Sequence, residues 1–326
     1  MGVELLLSDE AGTKTFLPAV AEGVEWTTER KGSPGKLSFQ VLPDNLLDFS
    51  EGSVVQFLEN GTGIFQGFVF KQQRGKDGII SVTAYDQLRY LKNKDTIVYE
   101  ELTAAELVQK IAGDYHLQTG ILEDTGYVIA SRVEENTSLF EMIQSALDLT
   151  LTGTGQLYVL YDDFGKLTLK NLSSMHVEEQ GKYLLLDGET GENFEYVSSI
   201  DENTYNQIKL TYDNEETGKR DVYLVQDNAN INRWGVLQHF DTLKKGENGQ
   251  AKADALLDLY NKKTRSLKLT KVLGDSRVRA GSLVMVRLAL GDMAVNNFML
   301  VESCRHTYGE SEHFMDLTLR GGEFHG

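Results

Sequence analysis

The chain has 326 residues, with 49 acidic against 32 basic side chains, a net charge of −17, and 40% hydrophobic residues. That length accommodates two or three domains of about 100–200 residues each. The charge balance argues against general nucleic-acid binding or docking on anionic lipid, since both need clustered Lys and Arg, and the single cysteine, Cys304, excludes an intrachain disulfide or a cysteine metal cluster.

No stretch approaches the roughly 20 apolar residues of a membrane span, so no membrane insertion is expected. The opening MGVELLLSDEAG has no basic segment ahead of its short leucine run, so it does not read as a secretion signal and synthesis in the cytoplasm is expected.

The first ninety residues read as short strands: Val3–Leu7, Val24–Arg30, Lys36–Leu42, Ser53–Glu59, Gly63–Gln73 and Gly78–Tyr85. In Lys36–Leu42, Leu37, Phe39 and Val41 alternate with polar residues, the pattern of one buried and one wet face. Asn60-Gly61 and Asp77-Gly78 suit hairpin turns. The pattern then turns helical. Thr103 with Glu106 forms a capping box ahead of Leu107, Val108 and Ile111. Thr137–Leu147 predicts a second helix with Leu139, Phe140, Ile143 and Leu147 as its apolar stripe. A hairpin follows, Gln156–Asp162 and Lys166–Asn171, turning at Asp163-Phe-Gly165.

From Leu184 to Gln207 six residues are acidic and none is basic, which reads as a solvated loop. Tyr205–Tyr212 and Arg220–Gln226 predict a hairpin across Asp213–Gly218. A helix over Gly249–Lys263 carries Ala253, Leu256, Leu257 and Tyr260, and strands return at Ser266–Val272, Ser282–Ala289, Asn296–Tyr308 and His313–Arg320. The fold class expected is α+β, mainly β: antiparallel β-barrel domains at residues 1–92 and 201–326, a small α/β domain at 93–200 between them, and a further helical insertion at about 241–264 in the second.

Catalytic chemistry is not evident. HExxH, Walker, Rossmann and GxSxG patterns are missing from the sequence, so no catalytic, cofactor or metal site is expected and the chain reads as a non-enzyme. His306 and His313 are placed to meet across a hairpin but read as exposed strand residues, and Asp162-Asp163 reads as turn chemistry. Cys304 reads as a small buried side chain. Thr103–Tyr115 resembles the first helix of a LysM module, which keeps a peptidoglycan-binding or cell-wall-degrading component as the alternative function.

One cluster is more specific. Gly63-Ile-Phe-Gln-Gly-Phe-Val-Phe70 precedes Ile79-Ile-Ser-Val-Thr-Ala-Tyr-Asp-Gln-Leu-Arg-Tyr-Leu-Lys-Asn-Lys94, and Val278–Val286, Phe298–Ser303 and His313–Leu319 follow in order. This resembles the baseplate hub proteins of contractile phage tails and phage-tail-like particles, specifically the XkdQ type of PBSX-like prophages. The resemblance implies two tube-like barrels per chain and a homotrimer whose six barrels form a pseudo-sixfold ring between tail tube and central spike. It also implies contacts with a tube-initiating protein, the tape-measure protein and baseplate wedge, no specific nucleic acid, and a place in the virion tail after synthesis in the host cytoplasm. Under it, Gly63–Phe70 and Ser282–Ala289 are ring-wall or subunit-interface candidates, with Ile64, Phe65, Gln66, Phe68, Leu283, Met285 and Arg287 as the residues concerned. Ordinary core strands would look the same.

Overall fold

The computed structural model describes residues 2–321 apart from 10, 22, 45–46, 189, 192, 202, 215–217, 244–246 and 290–293. The chain divides into a larger unit, Met1–Glu195 with Leu267–Arg320, and a smaller one built on Tyr196–Ser266. The fold is α+β and mainly β, with antiparallel pairing dominant.

In the larger unit the chain begins with β1 (Val3–Ser8), β2 (Thr15–Phe16), β3 (Val24–Glu29), β4 (Lys36–Val41), β5 (Val54–Glu59), β6 (Thr62–Arg74) and β7 (Ile80–Tyr85). The alternation in β4 is realised: Leu37, Phe39 and Val41 are buried while Lys36, Ser38 and Gln40 are half-exposed. With Leu7, Trp26, Val55, Phe57, Val69 and Val82 they form one core; full burial of such side chains stabilises by about 1.5–3 kcal/mol each.

A 3₁₀ segment, Gln87–Lys92, leads into β8 (Lys94–Leu102), α1 (Ala104–Asp114), β9 (Thr119–Leu122), β10 (Ile129–Ser138), α2 (Leu139–Thr154), β11 (Tyr158–Asp162) and β12 (Leu167–Asn171). Thr103 and Glu106 form the reciprocal cap expected for α1. The second helix starts two residues later than its expected start at Thr137, because Ser138 makes the capping box with Glu141 while Thr137 belongs to β10. It also runs on to Thr154, closed by Gly155 at φ 73°. Both helices bury their stripes with Leu88, Leu91, Leu167 and Leu169.

The acidic stretch is not simply a loop. After β13 (Glu178–Glu179) and β14 (Lys182–Tyr183), β15 (Leu185–Asp187) places Leu186 at 2% exposure, and β16 (Asn193–Ser199) follows. The apolar leucines at the start of this stretch outweigh the charge that follows.

The smaller unit contains β17 (Gln207–Asn214), β18 (Lys219–Gln226), α3 (Asn228–Trp234), β19 (Gln238–Thr242) and α4 (Gly249–Tyr260). The expected hairpin is present as β17–β18, although residues 215–217 of its turn lie outside the described residues. In this unit Ala253 and Leu256 of α4 cover Ile208 and Leu210.

The chain ends with β20 (Thr264–Leu273), β21 (Leu283–Ala289), β22 (Ala294–Tyr308) and β23 (His313–Arg320). Strand order in the main sheet is β20-β23-β22-β3-β4-β7-β6-β5-β1-β2, with β21 on β22 and β15 parallel to β21. Strands from the two ends of the sequence therefore share a ladder, in which Cys304 faces Thr28 and His306 faces Trp26. Among the described residues the pairing is an open path and not a closed ring.

Candidate functional site: a buried polar joint and the strand faces around it

The segment after β7 ties the N-terminal sheet to the α/β layer. Asp86 caps the 3₁₀ segment by accepting from the Leu88 amide at 3.1 Å, and its other oxygen accepts from the Gly35 amide at 2.9 Å. Gln87 is buried and its amide group serves two loops: Nε2 donates to the Gln118 and Gly165 carbonyls, and Oε1 accepts from the Gln118 amide. Leu88 and Leu91 enter the helical core, while Tyr90 stays on the outer side against Phe68 and Phe70. In Asp86-Gln-Leu-Arg-Tyr-Leu91, Asp86, Gln87, Leu88, Tyr90 and Leu91 are thus engaged in capping, bridging or packing.

The two glycines of Gly63-Ile-Phe-Gln-Gly67 are required by close approach. A Cβ on Gly67 would collide with the Tyr85 carbonyl, and one on Gly63 with the Phe164 ring. Phe164 itself sits at φ 47°, a left-handed conformation costly for a bulky residue, in the turn that Asp162 closes by accepting from the Gly165 amide at 2.6 Å.

Arg279 lies where these parts meet. Its guanidinium stacks over Tyr161 at 4.3 Å and stands 5.8 Å from the Trp26 ring centroid. Burial pushes the Asp86 carboxyl well above the ordinary carboxylate range and the nearby Asp162 charge pushes it further, while Arg279 pulls it back. Burial raises Asp162 as well, opposed by the Gly165 amide and Arg279. Among the described residues, Asp162 Oδ2 and Arg279 Nε have no hydrogen-bond partner. Two buried carboxyl groups and one guanidinium therefore form a polar joint between these segments.

A second buried group lies on β22 and β23. His306 and His313 do meet, but buried rather than exposed, because Cys304, His306 and Tyr308 all point to the covered face of β22. His306 Nε2 is 2.8 Å from the Val278 carbonyl and must carry the proton; its Nδ1, 2.8 Å from His313 Nε2, therefore accepts. That leaves His313 Nδ1 bare and 3.8 Å from Glu59. Burial drives the His306 pKa down to about 3 and lowers that of His313. Burial also pushes the Cys304 thiol up, so it is inert. No group of three or more His, Cys, Asp or Glu among the described residues is arranged to hold a metal, and no described helix is long and apolar enough to cross a membrane.

The residues read as ring-wall candidates fall in two places. Phe65 belongs to the N-terminal core with Ile64 packed against it; Gln66 accepts from Gln56 Nε2 at 2.8 Å, and the Phe68 ring meets Tyr90 edge-on. Leu283 is buried with Val159 and Leu300, Met285 is half-buried opposite Phe298, and Arg287 is exposed. Four strands separate β6 from β21, so the two sets are not neighbours. Sequence reasoning missed Gln87 and Arg279. Gln87 lies inside the most specific motif and Arg279 inside the Val278–Val286 segment of the same resemblance, but the partners of both are remote in the chain, so neither role was legible.

YqbQ, an uncharacterized protein of Bacillus subtilis strain 168, is 29% identical over 316 residues, covering 93% of each chain. The phage-like element PBSX protein XkdQ of the same strain is 28% identical over 316 residues, again 93% of each chain, in agreement with the resemblance read from the sequence. Among solved structures, the 43 kDa tail protein of prophage MuSo2 from Shewanella oneidensis has a similar fold, with a TM-score of 0.70 at 13% identity, covering 97% of this chain and 98% of that one. A family model described as YqbQ-like matches residues 24–320, and the chain belongs to that family.

Proposed function

We propose that this protein is a non-enzymatic structural component of a phage-type contractile tail, a baseplate hub that forms a homotrimeric, pseudo-sixfold ring joining the tail tube to the central spike. The observation that carries this reading is the relation, over 93% of both chains, to the phage-like element PBSX protein XkdQ. The chemistry agrees with it: the buried polar groups are spent on holding segments together, and Asp86, Gln87 and Arg279 lock strands to the α/β layer. In this reading residues 1–92 and 201–326 supply two tube-like β-modules that share the β3–β22 ladder, with 93–200 between them, and the outer faces of β6 and β21 are ring-wall candidates. Three chains then offer six such modules to the tube and threefold symmetry to the spike. The tape-measure protein and baseplate wedge are further neighbours.

Light scattering on the purified full chain, with a cell-wall clearing assay beside it, tests the reading. A trimer without clearing activity is expected. A monomer that clears cell walls, and loses that activity on substitution of one carboxylate, would replace the hub by a lytic tail component.

A further inference from the structure

The outer side of β4, β7 and β6 carries an open groove of ≈ 560 Å³ whose lining includes Lys36, Lys71, Arg89 and Lys92 with Phe70 and Tyr85, and no carboxylate. A β-bulge between Val69 and Lys71 builds it, because the extra residue turns Phe70 and Lys71, adjacent in sequence, to the same side. The 3₁₀ segment then lays Arg89 over the Phe70 ring at 5.4 Å. Lys36 reaches Glu25 only at 4.0 Å, and among the described residues no ion pair engages Lys71, Arg89 or Lys92. These uncompensated cations stand on a chain of net charge −17.

The β8–β10 ribbon has the opposite character. Val98 and Val133 are directly opposed across the ladder and are 59% and 60% exposed. Glu100, Glu101 and Glu135 are exposed beside them, again without an ion pair among the described residues. The ribbon cannot fill its own groove. β8 leaves directly after Lys92, and extended chain at about 3.3 Å per residue puts Glu101 roughly 25–30 Å away.

We propose that the groove of one copy receives the β8–β10 ribbon of the next copy, Glu100 and Glu101 meeting Lys71 and Arg89 while the valine pair covers Phe70 and Tyr85. The proposal rests on the ring reading above and names its contact. For so acidic a chain, self-association must set cations against the acidic excess. A two-fold contact of groove on groove would oppose like charges, whereas groove on ribbon is head-to-tail, the kind of contact that repeats and closes into a ring. Nucleic acid is the competing polyanion, and the overall negative field disfavours its approach.

Sedimentation velocity over a concentration series tests this with three full-length variants: Lys71→Glu with Arg89→Glu, Glu100→Lys with Glu101→Lys, and all four changes in one chain. All four positions are outside the apolar cores, and thermal melts identify any variant that fails to fold. Each two-site reversal is expected to weaken self-association about tenfold or more, and the four-site chain to recover it. Wild-type association that neither reversal alters, or that the four-site chain fails to recover, overturns the contact and leaves the ring reading standing. A wild-type chain that stays monomeric at every concentration contradicts the ring reading and this contact together. Binding of a short DNA duplex that the groove reversal abolishes assigns the groove to phosphate and overturns the proposal.

Discussion

Gln87 Nε2 donates to the Gly165 carbonyl at 2.8 Å, across 78 residues of chain, while the same side chain brackets Gln118 through its carbonyl and its amide. Replacing it by leucine keeps most of the volume but leaves the Gly165 carbonyl and the Gln118 N–H without their partner, while the Gln118 carbonyl keeps the Leu167 amide. Gln87→Leu is expected to cost about 2 kcal/mol, below the sum of roughly 1–3 kcal/mol for each unsatisfied buried group because Gln118 is exposed and Gly165 half-exposed. Urea unfolding measures it, and a loss below about 0.5 kcal/mol would show that the clamp carries no weight.

Gly67→Ala forces a Cβ against the Tyr85 carbonyl, a backbone atom that cannot rotate away. Overpacking of this kind costs about 1–3 kcal/mol, occasionally more. The expected result is a lowered melting temperature, with separation of β6 from β7 seen as faster amide exchange on both strands. An unchanged melting temperature would count against the close approach.

The histidine pair predicts acid sensitivity. His306 is held neutral, with its pKa at about 3, by burial, by His313 and by Arg279, although the Val278 carbonyl and Asp275 oppose them; His313 is lowered by burial against Glu59 and Asp275. The unfolded chain takes up protons below about pH 6.5 while the folded one does not, so the stability these groups contribute is full above that pH and falls as the pH drops towards the folded pKa. His306 alone accounts for about 2 kcal/mol lost by pH 5. In His306→Gln, which can still donate to Val278, the slope of stability against pH between 5 and 6.5 is expected to flatten by about one proton. An unaltered slope would place the titration elsewhere.

Arg279→Leu predicts the opposite pH trend. Asp86 and Asp162 already have folded pKa values above the unfolded ones, so their protonated forms favour folding at low pH and that contribution is lost as the pH rises through the folded values. Without the guanidinium they rise further. The variant is expected to lose more stability at neutral pH than at pH 5, since the guanidinium lowers both carboxyl pKa values. A loss that is equal at both pH values would mean the arginine acts only by packing on Tyr161.

Much of this architecture was legible because its signals are local. The alternation of Leu37, Phe39 and Val41, the Thr103–Glu106 cap and the Asp163-Phe-Gly165 turn each lie within a few residues and each forms as read. The β8–β10 ribbon was not visible, since Lys94–Leu102 is largely polar and its partner lies beyond α1. The Arg279 joint and the burial of the His306–His313 pair, though not the pairing itself, were equally hidden, because their environment comes from strands at opposite ends of the chain. The Tyr85–Asn93 motif stood out in the sequence, yet only the three-dimensional arrangement explains Gln87 and the glycines that precede it.

The most direct test of the central claim is to count this chain in purified tail particles by quantitative mass spectrometry against the tail-tube subunit. Three copies per particle, for every six in one tube ring, is the predicted result. Particles that assemble complete tails without this chain would contradict the account.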